Sequence, residues 1–279
     1  MEHCWKAHGL GNDYLVWLNG YLFQSNEFTS QMAIRICDRH RGIGADGILD
    51  PKSSNRADVG LQIWNPDGSK AEKSGNGIRI FAWWWAVIQQ EVTGTAPFTV
   101  DTGSDVVTCV VEEATGLVTV DMGTAQFEPD QIPTSERVWG KEITMPDGTV
   151  LEAYTMGIGN PHCVVFVDNV ERFAEIPWRS WGAFLESHPL FPNRINVQFA
   201  SVTSKGSIEI RIWERGAGET QASGTSSCAV ASVAHRLGLV DDFVEMKMPG
   251  GVLTVEISTE WQVRLCGPVE EVGRMQMRL

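Results

Sequence analysis

The chain writes one pattern twice, which restricts it to folds made of two like halves. Asn65, closing Ile63-Trp64-Asn65, stands nine residues before Ser74-Gly75-Asn76. Glu214, closing Ile212-Trp213-Glu214, stands nine before Ser223-Gly224-Thr225. Upstream, Gly9-Leu10-Gly11-Asn12 returns as Gly157-Ile158-Gly159-Asn160. The two offsets, 148 and 149, are nearly equal, and the order of the landmarks is kept. Such a period is far too long for a solenoid or propeller. It reads as two copies of one domain about a pseudo-twofold axis. A small ligand between the copies would meet near-equivalent groups from opposite sides, which suits chemistry at both faces of one carbon.

The 279 residues allow two domains, each large enough for its own core. A net charge of −13 argues against nucleic acid or an anionic membrane as partner. It leaves room for an anionic small molecule, because local donors can outweigh the global field. The six cysteines are widely spaced, with no C-x-x-C pair for zinc or redox work. Met1 to Lys6 has no apolar signal-peptide core, and the longest apolar run, Ile80 to Ile88, is too short to span a bilayer. The expectation is a protein of the reducing cytoplasm.

Most of the chain reads as short β-branched or alternating runs broken by Gly, Pro, Asn and Asp, the clearest being Ser207 to Trp213. Helix is expected over Gly75 to Gln90 and Thr225 to Leu237, with Gly238 as a stop, and over Ser30 to Asp38 and Glu171 to Phe184. This gives an α+β fold in which each half is a curved, mostly antiparallel sheet carrying one helix. The small residues from Ser226 to Ala234 suit a helix buried inside a rolled sheet. A boundary within Met122 to Pro133 separates domains 1–124 and 125–266, with segment 267–279 returning to the first.

Ser74 and Ser223 each sit where a loop turns into a helix, where the first N–H groups lack partners and the dipole favours negative charge. Alone, either serine is an ordinary helix cap. Two such starts facing one cleft would hold a carboxylate by backbone amides. The surrounding residues make the reading specific. Asn65-Pro66-Asp67-Gly68-Ser69 through Lys73-Ser74-Gly75-Asn76-Gly77 resembles the first signature of the diaminopimelate epimerases. Glu214-Arg215-Gly216-Ala217-Gly218-Glu219-Thr220 through Ser223-Gly224-Thr225 resembles the second. His8 to Asp13, Arg41 to Gly47, Gly159 to Cys163, and Asn196 within Arg194 to Val197 match as well, so the likeness spans essentially the whole chain.

The resemblance implies a cofactor-free racemase fold of two barrel-like domains, each with a central helix, and a homodimer acting on a small-molecule amino-acid substrate. In that family a thiolate removes the α-proton from one face while a thiol protonates the other. The positions matching those cysteines are Ser74 and Ser223, the chain's largest departure from the pattern. A thiol has a pKa near 8.5 that a helix N-terminus lowers, whereas an aliphatic hydroxyl is a far weaker acid. His162 could activate at most one serine. This chain is therefore expected to epimerise slowly or not at all. Either the paired change is deliberate and traps substrate, which the otherwise complete motif set favours, or it is natural in a relative with altered chemistry, such as a dehydratase or a pure binder.

By the same resemblance Asn12, Asn65, Asn160, Asn196 and Arg215 hold the distal carboxylate and amine of a long, doubly charged amino acid. Glu214 beside Arg215 would complete a zwitterion clamp, and His162 with Glu214 would stand close to the acid/base pair. The backbone of Gly75, Asn76, Gly224 and Thr225 would hold the α-carboxylate and stabilise charge growing onto it. Gly47 is a milder departure, since some family members carry a Gln there that touches substrate. A racemase of another amino acid such as histidine, or a non-catalytic binding homologue, is the alternative. Gly42-x-Gly44-x-x-Gly47 fits a dinucleotide pattern, but Ile48-Leu49-Asp50-Pro51 cannot open the helix that pattern needs. No metal spacing is present among the histidines, no lysine context suggests pyridoxal phosphate, and no cofactor is expected.

Overall fold

A computed structural model describes residues 2–18, 28–71, 73–89, 96–169 and 171–278. The chain divides into two units, Met1–Asp121 with Cys266–Leu279, and Met122–Leu265. In chain order the elements of the first half are β1 (Glu2–Gly9), β2 (Asn12–Trp17), α1 (Ser30–Cys37), β3 (Gly47–Lys52), β4 (Val59–Trp64), α2 (Gly75–Trp83), β5 (Phe98–Asp101), β6 (Val106–Glu112) and β7 (Leu117–Thr124). The second half follows with β8 (Trp139–Thr144), β9 (Val150–Gly157), β10 (Pro161–Phe166), α3 (Arg172–Glu175), α4 (Trp178–Glu186), β11 (Asn196–Ser204), β12 (Ser207–Glu214), β13 (Gly218–Thr220), α5 (Gly224–Arg236), β14 (Phe243–Met248), β15 (Gly251–Ile257) and β16 (Gln262–Pro268). β17 (Glu270–Met277) returns to the first unit and pairs with β1.

Both units follow one pairing plan. In the first, β17–β1 and β1–β2 are antiparallel, β2–β3 parallel, β3–β4 antiparallel, β4–β5 parallel and β5–β6 antiparallel. In the second, β8–β9 and β9–β10 are antiparallel, β10–β11 parallel, β11–β12 antiparallel, β12–β14 parallel and β14–β15 antiparallel. The repeat legible in a few landmarks is thus a repeat of the whole sheet.

Each sheet curls around one helix into a barrel-like unit. α2 packs against β1, β2 and β6, and α5 against β9, β10, β11, β12, β14 and β15, strands too far apart in a flat sheet to touch one helix. Every α5 residue from Gly224 to Ala234 is buried, so this helix has no solvent face over that stretch. Small side chains let the sheet close around it; longer ones would overpack the space. β12 shows the complementary pattern, with Ile208, Ile210 and Ile212 inside and Glu209 and Arg211 partly exposed.

Local chemistry sets the ends. Ser74 and Ser223 are the N-caps, extended in backbone, with side chains accepting from Gly77 and Ser226. Gly238 at φ +70 turns the chain out of α5. Two helices differ from expectation. The stretch from Gly75 continues past Trp83 as a π-helical segment, Trp84–Gln89, with wider turns where three tryptophans follow one another; the expected end at Gln90 lies outside the described residues. The single helix expected over Glu171 to Phe184 is two, Arg172–Glu175 and Trp178–Glu186. Pro177 pushes Ile176 into extended backbone and stops the first. Gly47 opens a strand rather than a helix, as the dinucleotide pattern cannot allow. Among the described residues no helix is long and apolar enough to cross a membrane.

Candidate functional site

In the first unit the candidate residues gather at the start of α2. Ser74 Oγ accepts from the Gly77 N–H at 3.0 Å and lies 3.0 Å from the Tyr14 hydroxyl. Behind it runs a chain of charged and amide groups. Arg79, fully buried, donates to Asn76 Oδ1 at 2.8 Å. Asn76 Nδ2 donates to Asn12 Oδ1 at 2.9 Å, and Asn12 Nδ2 to Asp46 Oδ2 at 2.8 Å. Arg39 bridges Asp46 and Asp13 at 2.7 and 2.6 Å, and Lys6 reaches Asp13 at 2.8 Å. Burial opposes charge on Asp13, but Arg39 and Lys6 prevail and hold its carboxyl below the usual range. Asn12 still has one amide hydrogen and one lone pair to offer a further partner. Asn65 closes its own turn, with Nδ2 donating to Ser69 Oγ at 2.9 Å.

Gly9 passes so close to Arg79 that a Cβ there would come within 2.9 Å of Nη2. A side chain at position 9 would therefore displace the buried Arg79 guanidinium. Sequence reasoning missed Arg79, Arg39, Lys6, Asp13, Asp46 and Tyr14 as members of the network. A signal for Arg79 existed, a lone cation between Ile78 and Ile80 in an apolar helix. Asp13 and Asp46 were inside motifs already singled out but received no role.

In the second unit the network is neutral. His162 is fully buried, 2.8 Å from Asn160 Oδ1 through Nε2 and 3.1 Å from Gln198 Nε2 through Nδ1. Gln198 Nε2 also donates to Ser226 Oγ at 3.0 Å. An amide nitrogen only donates, so Nδ1 accepts and Nε2 carries the hydrogen given to Asn160. Burial drives the His162 pKa down to about 3, and the ring stays neutral. With Nδ1 engaged by Gln198, the ring has no lone pair for a serine.

Among the described residues Ser223 Oγ makes only long contacts of 3.5 Å, to the Ser226 N–H and the Thr225 hydroxyl. Asn196 ties the following loop down, donating to the Pro161 carbonyl at 2.9 Å and accepting from the Arg215 N–H at 3.0 Å. Glu186, also missed by sequence reasoning, is buried beneath that loop. It accepts from Gly216 N at 2.7 Å, Trp213 Nε1 at 2.9 Å and Arg194 Nη2 at 2.6 Å. Glu214 and Arg215, at the end of β12 and just past it, are half-buried. Gly75 and Gly224 are the first residues of α2 and α5, with Asn76 and Thr225 second.

The buried thiols Cys37, Cys109 and Cys163 are no substitute for a base. Burial pushes Cys163 and Cys37 up to about 12, and Cys109 higher still. Cys228 faces the interior of the second unit from α5. Among the described residues no group of three His, Cys, Asp or Glu is placed to hold a metal.

The sequence profile described as diaminopimelate epimerase matches residues 4–128 and 154–272. Diaminopimelate epimerase 2 of Nostoc sp. is 40% identical over 282 residues, covering 98% of this chain and 94% of the relative. Diaminopimelate epimerase of Ectopseudomonas mendocina is 39% identical over 278 residues, with 98% of each chain covered. Among solved structures, a probable proline racemase from Agrobacterium radiobacter has a similar fold, with a TM-score of 0.72 at 14% identity over 100% of this chain and 93% of that one. So has a PhzF-family phenazine biosynthesis protein from Bacillus anthracis, at TM-score 0.71 and 16% identity over 100% and 99%.

Proposed function

The chain belongs to the diaminopimelate epimerase family, and we propose that it carries that family's two-base site with serines at both acid/base positions. Inversion at an α-carbon needs a base at one face and an acid at the other. Position 74 would serve one role and position 223 the other. The observation that carries this is the pair of N-capping serines, each opening the central helix of its unit, each preceded by the same motif at the same spacing.

The remaining roles follow from placement. The backbone at Gly75, Asn76, Gly224 and Thr225 would take the α-carboxylate, since helix starts offer N–H groups without intrahelical partners. Holding charge there lowers the barrier to the carbanion. Asn12, Asn65, Asn160, Arg215 and Glu214 would hold the charged ends of a diaminopimelate. Asn196 and His162 would act by holding Arg215 and Asn160 in place, which is where their hydrogen bonds go. A hydroxyl at 74 and at 223 leaves no group that ionises near neutrality, so the chain as written binds substrate and turns it over slowly or not at all. The reading extends to a cofactor-independent homodimer in the cytoplasm that interconverts LL- and meso-diaminopimelate for lysine and peptidoglycan synthesis. The two serines themselves favour one other reading, a binding protein that kept the pocket and lost the chemistry.

Deuterium wash-in at the α-carbon of LL-diaminopimelate separates these. Ser74→Cys with Ser223→Cys is expected to raise exchange on the order of 10²–10⁴-fold over the chain as written, the usual worth of a positioned acid or base. A double variant that melts at a higher temperature with diaminopimelate yet stays inert would leave only the binding reading. One that responds to histidine or another amino acid instead would move the substrate.

A further inference from the structure

The repeat sets two unlike residues, Tyr14 and His162, at equivalent places in the strand registers. Tyr14 stands opposite Gly47 across β2 and β3, and His162 stands opposite Asn196 across β10 and β11. Both sit on the third strand of the plan, β2 and β10, two residues past Asn12 and Asn160 respectively. In the second unit this position carries a neutral ring bonded to an asparagine. In the first it carries a phenol within hydrogen-bond reach of Ser74.

The phenol is seated by its neighbours. A Cβ on Gly47 would come within 2.6 Å of Tyr14 Cε1 and 2.7 Å of the Trp64 carbonyl, so the ring occupies the room a side chain at 47 would need. Tyr14 is 7% exposed, and its hydroxyl lies 3.0 Å from Ser74 Oγ. Ser74 Oγ has the Gly77 N–H at 3.0 Å as well, whereas the two contacts of Ser223 Oγ are both 3.5 Å.

We propose that Tyr14 is a positioning residue for position 74, donating its O–H there and favouring the anionic form of whatever acid/base group that position carries. This rests on the reading of 74 and 223 as the acid/base positions. A phenol is a far stronger acid than an aliphatic hydroxyl, so it is the donor of the pair. Toward a thiolate the bond becomes charge-assisted, and a hydrogen bond given to the charged form lowers that form's pKa. Position 223, with no phenol in contact among the described residues, keeps its proton. The two halves of the site are then unequal before any substrate arrives, position 74 ready to accept a proton and position 223 ready to give one. In the serine form the same bond, with that from Gly77, occupies both lone pairs of Ser74 Oγ and turns its own O–H outward as a donor.

The test needs no turnover. Ser74→Cys and Ser223→Cys are made separately, and the pH dependence of iodoacetamide alkylation is followed at each site by peptide mass spectrometry. The thiol introduced at 74 is expected to titrate at least one pH unit below that at 223. Adding Tyr14→Phe should cut the thiolate fraction at 74 about tenfold at neutral pH and leave the thiol at 223 unmoved. Equal titration of the two thiols, or no response to Tyr14→Phe in a variant with unchanged circular dichroism, overturns the proposal. If Tyr14→Phe fails to fold, 3-fluorotyrosine at position 14 serves instead: the more acidic phenol should lower the titration at 74 further, and no shift is the overturning result. In the double-cysteine background the acid limb of the exchange profile should move with Tyr14→Phe. Thiol titrations that shift in a protein that never exchanges would sustain the Tyr14 proposal and sink the catalytic reading beneath it.

Discussion

The two units share a sheet plan and a serine-capped central helix, but not the side chains that surround each serine. In the first, a buried Arg79 heads a charged relay through Asn76, Asn12, Asp46, Arg39 and Asp13. In the second, the equivalent helix position is Cys228, and the network is neutral, running from Asn160 through His162 and Gln198 to Ser226. The substitutions are correlated. Where the second unit pairs Gln198 with Ser226, the first sets Leu49 beside Gly77, with a Cβ on Gly77 3.2 Å from Leu49 Cδ2. Duplication therefore preserved what the backbone must do, strand pairing and helix capping. It freed the side chains around each serine to diverge as sets.

The largest break of the comparison is catalytic. If the halves supply one acid and one base, neither Ser74→Cys nor Ser223→Cys alone should epimerise, and only the pair should recover the on-the-order-of 10²–10⁴-fold gain. Chiral chromatography of diaminopimelate after incubation reads this directly. A single variant that epimerises as fast as the double one would make one half sufficient.

Next comes stability. Arg79→Ala removes a fully buried cation and its hydrogen bond to Asn76 Oδ1, and the lost volume adds a cavity. The loss should be about 3–5 kcal/mol. Cys228→Ala, the same place in the other unit, deletes one small sulfur atom and should cost about 1 kcal/mol, near the centre of the range for single substitutions. Urea unfolding of both variants measures the difference. Equal losses would mean that the relay carries no special burden.

How much of this was legible beforehand follows the same division. Many strands, the central helices and their caps were readable because they depend on local signals: alternation in Ser207 to Trp213, serine before a helix, glycine after one. The motifs picked out both helix starts because they name positions where the backbone turns. What escaped was contact between residues distant in sequence. Glu186 anchors Gly216, Trp213 and Arg194, yet it lies in a helix whose pattern signals only burial. Tyr14 reads as one more strand aromatic until the register sets it against a glycine. The split at Ile176-Pro177 was legible in principle, since a proline disfavours helix in the residue before it.

Glu186 offers a smaller test confined to the second unit. Glu186→Gln keeps the shape but replaces one acceptor oxygen with a donor facing Gly216 or Trp213. Losing hydrogen bonds to a charged group should cost about 1.5–3 kcal/mol. The loop from Glu214 to Ala217 should exchange its amide hydrogens faster, while the turn at Asn65 in the first unit does not change. Hydrogen-exchange mass spectrometry resolves the two segments. Unchanged protection at 214–217 would remove Glu186 from the support of Arg215.

The gentlest probe is acid, because the halves titrate in different windows. His162 is held neutral in the folded chain, with a pKa of about 3 against 6.5 in the open. Between those values the unfolded chain binds a proton that the folded one does not, so stability falls as pH drops below 6.5, by up to about 1.4 kcal/mol per pH unit. Asp13 has the opposite environment. Its carboxyl sits below the usual value, so its contribution is present above pH 4 and is lost only as pH falls through the folded pKa. The second unit should therefore loosen first on acidification, and the first only near pH 4 or below. Replacing His162 with Gln should flatten the stability curve between pH 6.5 and 4.5 without altering the first unit's acid response, as read by segment-resolved hydrogen exchange across that range. If both units loosen together in the unsubstituted chain, or His162→Gln leaves the slope intact, the neutral ring is not what makes the second half the more acid-sensitive of the two.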